Sequence, residues 1–169
     1  AMLRLRGTPE TALSFANPFI SSGEYGTYNN DPANEIFNPA GGAVVYTDPP
    51  DQATTTGTEE YIFLSDNEIE GIGATCGAAS CADLLMVIAN MREDVCTPIN
   101  DMIGVTNPSG VPPTDSDINE SDKFKPGVSP FGVPETVGDE DSALESKQEA
   151  CFEETGDGEF VYYKVLLAR

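Results

Sequence analysis

The sequence contains no histidine and no tryptophan, and only 8 basic residues stand against 29 acidic ones. Without imidazole the chain cannot form a Ser-His-Asp or Cys-His couple or a zinc site with histidine ligands. Its formal charge of −21 repels nucleic-acid phosphates and anionic lipid headgroups, which proteins bind mainly through Lys and Arg. These absences indicate that the protein is not an enzyme, and they disfavour nucleic acid and membrane surfaces as partners.

Long apolar runs are also missing. No stretch of about 18 apolar residues occurs, so the printed sequence contains neither a membrane span nor a signal peptide. We interpret Ala1-Met2 as a remnant of cloning and expect a targeting or membrane segment upstream of Leu3.

The most informative residues present are four cysteines, Cys76, Cys81, Cys96 and Cys151. Their even number and irregular spacing favour structural disulfides, and therefore an oxidising compartment, over a metal cluster. A redox-active pair is disfavoured because four residues separate Cys76 from Cys81, unlike a CxxC motif, and no basic neighbour is present to activate a thiolate. We expect an extracellular or periplasmic protein that is displayed at the cell surface.

The length of the chain predicts a single globular domain over residues 1–169. Residues 1–34 are rich in Pro, Gly and Asn, which predicts an irregular N-terminal segment. Residues 105–145 are rich in acids, Pro and Gly, which predicts a long exposed acidic loop. Runs of β-branched and aromatic residues predict strands at 43–47, 60–65 and 159–168.

One main helix is predicted to begin at Cys81 and to continue through a kink near Thr97 to Gly104. Four apolar residues at helical spacing define its buried face: Leu84, Ile88, Met91 and Val95. Thr97 is a good cap for the second part, and Gly104 is suited to end it. The predicted fold is α+β, with an antiparallel sheet packed against this helix, long irregular loops and two disulfides.

The predicted helix also restricts the pairing of the cysteines. A helix from 81 to 96 separates its end cysteines by roughly 22 Å, whereas a disulfide needs Cα atoms within about 7 Å. Pairing Cys76 with Cys96 would require an almost fully extended return along the helix. These distances favour Cys76–Cys81 and Cys96–Cys151.

Two acidic segments are candidate calcium sites, and no other cofactor is expected. In the first, oxygen-bearing side chains recur at alternate positions, and the candidate ligands are Asp115, Asp117, Asn119 and Asp122. The segment is not an EF-hand, because Glu120 replaces the glycine at position six and Pro126 the glutamate at position twelve. The second contains Asp157 and Glu159, where a plain hairpin turn is the simpler interpretation.

Three stretches, residues 35–42, 95–100 and 160–169, resemble bacterial type IV pilins and pseudopilins, and the resemblance extends over residues 35–169. It implies a globular head with an antiparallel sheet and a disulfide near the C-terminus, which Cys96–Cys151 would supply. It also implies a hydrophobic N-terminal helix, removed here, that anchors the full-length protein in the membrane and packs against other pilin-like subunits.

From the sequence, the leading functional hypothesis is therefore a non-catalytic structural subunit, or a surface-displayed ectodomain, of a pilus-type or pseudopilus-type filament. The alternative is an extracellular binding or adhesion module that calcium stabilises.

Overall fold

A computed structural model describes residues 49–57, 61–75, 81–116, 118 and 135–168. These residues contain one helix, one short 3₁₀ turn and six strands. The helix is α1 (Glu93–Ile103) and the 3₁₀ turn is Pro108–Gly110. The strands are β1 (Tyr61–Ile69), β2 (Asp83–Met91), β3 (Thr114–Asp115), β4 (Glu135–Val137), β5 (Glu149–Glu154) and β6 (Glu159–Leu167). Within these ranges, no helix is long and apolar enough to cross a membrane.

All six strands belong to one sheet in the order β3-β5-β6-β2-β1-β4. The four longest strands, β5, β6, β2 and β1, pair antiparallel and form its centre. The short strands β3 and β4 add in parallel to the two edges. The sheet is therefore long in the centre and short at its edges.

The two edges of the sheet meet through side chains. Asp115 ends β3 at one edge, and its carboxylate Oδ2 accepts a hydrogen bond at 2.8 Å from the backbone N–H of Gly138, which follows β4 at the other edge. Beside it, the Ser116 hydroxyl donates to Glu140 Oε1 at 2.9 Å. These two bonds, here called the seam, show that the sheet curls into a nearly closed barrel.

Gly138 is the residue that the seam requires at its position. Its φ is +100°, and a Cβ there would lie 3.2 Å from the Glu145 nitrogen and 3.3 Å from the Leu144 carbonyl carbon. A larger residue would therefore meet a strained backbone and two unusually tight contacts with main-chain atoms. Glycine lets the chain bring this N–H to the buried carboxylate of Asp115.

The core lies on the inner face of the curled sheet. Strand positions two residues apart supply most of it, as expected for a strand with one buried face. Its members are Ile62, Leu64, Ile69, Leu85, Val87, Ala89, Val105, Ile118, Val137, Leu144, Ala150, Phe152, Val161 and Tyr163. In β1 the pairing register shifts between Leu64 and Asn67, so that Ile69 joins the same face despite its odd spacing.

Four of these core side chains come from residues 105–145, which the composition predicts to be an exposed loop. Val105 is 3% exposed, Ile118 1%, and Val137 and Leu144 are fully buried. The described parts of this stretch therefore close the barrel at the seam and contribute four side chains to its core. Single apolar residues in an acidic background form no periodic pattern, so the sequence did not reveal this role.

The predicted main helix from Cys81 is wrong. Residues Asp83–Met91 form β2, which lies between β1 and β6 in the middle of the sheet. Leu85 and Val87 face the core, while Ile88 on the other face packs in a second cluster with α1. A short apolar run that is buried on both faces has no alternation, and its Leu, Met and Ala content favours a helix locally. Because β1 and β6 pair with this segment on its two sides, it forms a strand instead of a helix.

The helix that does form is shorter and begins later. It starts at Glu93 and includes Thr97 and Pro98 in its interior, so Thr97 is not a cap. Gly104 ends it with φ +77°, as predicted. The α+β fold with a sheet packed on one main helix is therefore corrected to a mostly β, barrel-like sheet with one short helix on its outer face.

The other predictions for secondary structure have mixed outcomes. The strand expected at 60–65 is part of β1, and the strand at 159–168 is β6. The strand expected at 43–47 and the irregular segment 1–34 lie outside the described residues. The predicted pilin-like head, with its helix packed along a sheet, is wrong because its helix is instead the central strand β2.

Candidate functional site

The turn between β2 and α1 forms a corner with an unusual backbone. Asn90 has a φ of +52°, which is uncommon for a residue with a side chain. The pairing of β2 with β6 shifts register here, between Ile88 and Met91. Main-chain bonds fix the corner from the other side, because the N–H of Thr55 donates to the Asn90 carbonyl at 2.8 Å and the N–H of Arg92 donates to the Ala53 carbonyl at 2.9 Å.

An open groove of about 580 Å³ lies at this corner, between the start of α1 and the start of β6. We call it the corner groove, and its main lining residues are Asn90, Arg92, Glu93, Asp94, Glu159 and Phe160. Met91, the pairing partner of Phe160, also lines the groove, but it is only 2% exposed. The groove thus combines one partly exposed aromatic side chain with charged groups.

Arg92, the one arginine among the described residues, is held in the corner groove by a neighbouring side chain. Arg92 Nε donates to Asp94 Oδ1 at 2.8 Å, and a second guanidinium nitrogen donates to Oδ2 at 2.6 Å. The hydrogen bond from Arg92 lowers the pKa of Asp94, and the same bond raises the pKa of Arg92. Both side chains are about half exposed or more, so this pair adds little to stability. Its effect is local, because Asp94 offsets the charge of Arg92 within the groove.

Helix α1 is joined to the sheet at one point, here called the junction, by a disulfide and an amide. Cys96 and Cys151 are bonded with their Cα atoms 5.4 Å apart, and both residues are fully buried. One turn further along α1, Asn100 Nδ2 donates to the Cys151 carbonyl at 2.7 Å. Asn100 Oδ1 accepts from the Cys151 N–H at 2.9 Å. The side chain of Asn100 therefore replaces a neighbouring strand for this residue of β5.

A second amide supports the junction from outside. Asn107 Oδ1 accepts from Asn100 Nδ2 at 2.9 Å, and Asn107 Nδ2 donates to the Thr97 carbonyl and to Asp101 Oδ1. These bonds hold the chain that follows α1 against the helix. They also fix the orientation in which Asn100 meets Cys151.

The predicted pairing of Cys96 with Cys151 is confirmed, although the reasoning from a long helix was wrong. Cys81 is disulfide-bonded as well. Its predicted partner Cys76 lies outside the described residues, so the Cys76–Cys81 bridge stays a prediction. One complete disulfide is thus present in the described part of the chain, where two were expected in the whole chain.

Three of the six predicted calcium ligands lie in the described residues, namely Asp115, Asp157 and Glu159. Asp115 is fully buried and belongs to the seam. Asp157 and Glu159 lie in the β5–β6 hairpin turn, where Asp157 Oδ1 accepts from the Glu159 N–H at 3.0 Å. In the same turn Glu154 accepts from the N–H groups of Gly156 and Asp157. This is the hairpin of the simpler interpretation.

Asp117, Asn119 and Asp122 lie outside the described residues, so the first calcium segment as a whole stays a prediction. The structure brings Asp115 next to the second segment, since the Thr155 N–H donates to the Asp115 carbonyl at 2.9 Å. Within the ranges described above, no group of three or more acidic or cysteine side chains is arranged to hold a metal ion.

Apart from Glu159, a predicted calcium ligand, sequence reasoning did not identify the residues of the corner groove, and it did not identify Asn100. A helix beginning at Glu93 places Cys96 and Asn100 four residues apart on one face, so correct helix bounds would have revealed the junction. The groove had no comparable signal, because its two sides come from residues 90–94 and 158–160 and meet only through the pairing of β2 with β6.

No family model, curated protein or solved structure matches this chain.

Proposed function

We propose that this chain is a non-catalytic binding module that works outside the reducing cytoplasm, at the cell surface or in the periplasm. The observation that carries the proposal is the buried Cys96–Cys151 disulfide, which joins the helix to the sheet. Disulfides of this structural kind persist in oxidising compartments and are rare in the cytosol.

The buried carboxylates have structural roles, which supports a function without catalysis. The buried carboxylates of Asp115 and Glu154 both accept main-chain hydrogen bonds that shape the fold. The whole chain has no histidine, so a general base near neutral pH would have to be a perturbed carboxylate or amine. The acids described here are better explained by the seam, the hairpin turn and an acidic surface.

Of the two hypotheses drawn from the sequence, the binding module has more support than the filament subunit. The filament hypothesis depends on a resemblance to pilins, and the helix-on-sheet head that this resemblance implies is not formed. The corner groove, by contrast, is an open concave surface in which charged groups lie beside Phe160, and this supports a binding role.

Thiol trapping in intact producing cells tests the compartment. Free thiols are blocked with iodoacetamide before lysis, and the peptides that contain Cys96 and Cys151 are then analysed by mass spectrometry without reduction. We expect the disulfide-linked peptide and no alkylated Cys96. Alkylation of both cysteines in intact cells would contradict the proposal.

Saturation binding tests the activity. The purified domain carries a fluorescent label on its N-terminal amine and is added to intact producing cells in increasing amounts. We expect binding that saturates and that unlabelled protein displaces. A signal that rises linearly, with no displacement, would show that the cell surface contains no partner and would overturn the binding role.

A further inference from the structure

We propose that Asp157, in the β5–β6 hairpin turn, is a site of spontaneous isomerisation to isoaspartate, and that Glu154 slows this reaction by holding the turn closed. Asp157 is followed by Gly158, and no other Asp-Gly or Asn-Gly pair occurs in the sequence. Residues 155–158 are all exposed, so water reaches the turn. This chemistry is independent of the proposed binding function.

The reaction passes through a five-membered succinimide ring. The backbone nitrogen of Gly158 attacks Cγ of the protonated Asp157 carboxyl group, and the nitrogen's proton leaves with the carboxyl hydroxyl as water. A second water then opens the ring. Cleavage at Cγ restores aspartate, whereas cleavage at the main-chain carbonyl carbon gives isoaspartate. Glycine favours the attack because no Cβ crowds its nitrogen.

The folded hairpin restrains both reacting groups. The Gly158 N–H donates to the Glu154 carbonyl at 2.8 Å. On the other side, Asp157 Oδ1 accepts from the Glu159 N–H at 3.0 Å. Attack requires the Gly158 nitrogen to lose its proton and to turn toward Cγ, and the bond to the Glu154 carbonyl opposes both steps. The reaction therefore requires the turn to open.

The side chain of Glu154 holds this turn closed. It is 8% exposed, and its two carboxylate oxygens accept from the N–H of Gly156 at 2.9 Å and from the N–H of Asp157 at 3.1 Å. Hydrogen bonds to a charged acceptor are stronger than those between neutral groups. A Cβ on Gly156 would lie 3.1 Å from both oxygens, so glycine leaves room for the carboxylate. Glu154 is thus a positioning residue for the Asp157–Gly158 peptide.

The rate in the folded protein should follow the fraction of molecules in which the turn is open. Local opening and closing is much faster than isomerisation, so the observed rate is the rate in the open turn multiplied by this fraction. Isoaspartate adds one carbon to the main chain. We therefore expect that, once it has formed, the N–H groups of Gly158 and Glu159 no longer reach the same acceptors.

The test follows isoaspartate formation in the full chain, in mildly acidic water labelled with heavy oxygen, with and without concentrated urea. Opening of the succinimide takes up one labelled oxygen, and liquid chromatography with mass detection separates the two peptide forms. We expect isoaspartate at residue 157 in urea, and formation at least about tenfold slower in the folded protein. Asp141, which precedes Ser142, should react more slowly than Asp157 in urea because serine has a Cβ.

Matched variants test the role of Glu154. Glu154→Gln replaces one acceptor oxygen by an amide group, and Glu145→Gln removes the same charge from the exposed turn between β4 and β5. We expect Glu154→Gln to speed isomerisation about tenfold in the folded protein and to leave the rate in urea unchanged. Glu145→Gln should change either rate less than about twofold.

Two further variants complete the set. Gly156→Ala crowds the Glu154 carboxylate from the turn side and should also speed the reaction in the folded protein, which provides a second measurement if Glu154→Gln does not fold. Asp157→Glu cannot form the five-membered ring and should give no isomerised product at this residue.

Three results would overturn the isomerisation proposal: no isoaspartate at residue 157 in urea, equal rates with and without urea, or equal effects of Glu154→Gln and Glu145→Gln in the folded protein. The last result would mean that the Glu154 carboxylate does not control the turn. Thiol trapping and saturation binding to cells are unaffected by any of these outcomes, so the proposed function is judged separately.

Discussion

The junction and the seam hold the same barrel-like sheet together in two different ways. At the junction, helix α1 is attached to β5 by a buried disulfide and by both polar atoms of Asn100. At the seam, the edges of the sheet are held by the Asp115 carboxylate and by the exposed Ser116–Glu140 bond. The junction attaches the helix through a covalent bond, whereas the seam closes the sheet through single polar side chains.

The difference between a covalent and a hydrogen-bonded attachment indicates which part of the sheet opens more easily. A covalent bond restricts the unfolded chain as well as the folded one, whereas a hydrogen bond to a buried N–H acts only when the two edges are in place. We therefore expect the seam to open in fluctuations that leave the junction intact.

The largest effect is expected from removing the disulfide with Cys96→Ser and Cys151→Ser together. The bridge joins residues 55 positions apart. A loop of this length corresponds to a loss of about 4 kcal/mol in the free energy of unfolding. Urea unfolding followed by circular dichroism measures it.

Replacing Cys76 and Cys81 by serine is the comparison for the disulfide, because their predicted loop is short and its loss should cost about 2 kcal/mol. A larger loss from this second pair would reverse the importance that we assign to the junction.

The second-largest loss of stability is expected from Asn100→Ala, which removes the side-chain amide that binds the buried N–H and carbonyl of Cys151. Such a loss should lower the free energy of unfolding by about 3 kcal/mol. The control is Asn107→Ala, in the outer and half-buried layer, where about 1 kcal/mol is expected. Both are measured by urea unfolding with the disulfide intact. Equal losses would show that Asn100 acts only as one member of a surface network.

At the seam, Asp115→Ala should lower the free energy of unfolding by about 2 kcal/mol, because it removes the acceptor for the Gly138 N–H. Hydrogen exchange of the Gly138 amide reports the seam directly, and it should become faster in this variant. Ser116→Ala removes the exposed bond and should change stability by less than about 0.5 kcal/mol. Unchanged protection of Gly138 in Asp115→Ala would show that the seam does not depend on this carboxylate.

The smallest expected effect is a change in how stability depends on pH, and it involves Glu149 of β5. Hydrogen bonds from Lys164 and then from Tyr162 lower the pKa of Glu149 below its usual 4.5. Since the folded-state pKa is the lower one, the stabilisation is complete above pH 4.5 and is lost as the pH falls through the folded-state value. Glu149→Gln should therefore show a shallower loss of stability in this acid range.

For Glu149→Gln, the free energy of unfolding in urea is measured at a series of pH values. The control is Glu145→Gln, which removes the same charge. Glu145 lies in an exposed turn, so its substitution should leave the slope in acid nearly unchanged. The same slope in both variants would mean that the Lys164 and Tyr162 bonds are not maintained in solution.

Parts of the fold were predictable because they depend on local chemistry. The β-branched and aromatic run that ends the chain formed β6, and Gly104 ended the helix in a left-handed conformation. The disulfide between Cys96 and Cys151 was also predicted. Its prediction rested on a helix that does not exist, so this agreement gives no support to the reasoning behind it.

The central strand could not be predicted in the same way. Residues Asp83–Met91 are apolar on both faces, and local preference for Leu, Met and Ala points to a helix. Only the presence of β1 on one side and β6 on the other makes the strand more stable. The corner groove depends on the same pairing, which is why none of its residues was identified as a candidate except Glu159.

The sequence by itself determined the absence of imidazole chemistry, the strongly acidic surface and the four cysteines, because these follow from residue identities alone. The tertiary structure decided that β2 is a strand, that Asp115 closes a seam and that Asn100 attaches the helix. The physical reason is that each of these depends on groups distant in the chain, whose hydrogen bonds and burial contribute free energy only after the sheet has curled.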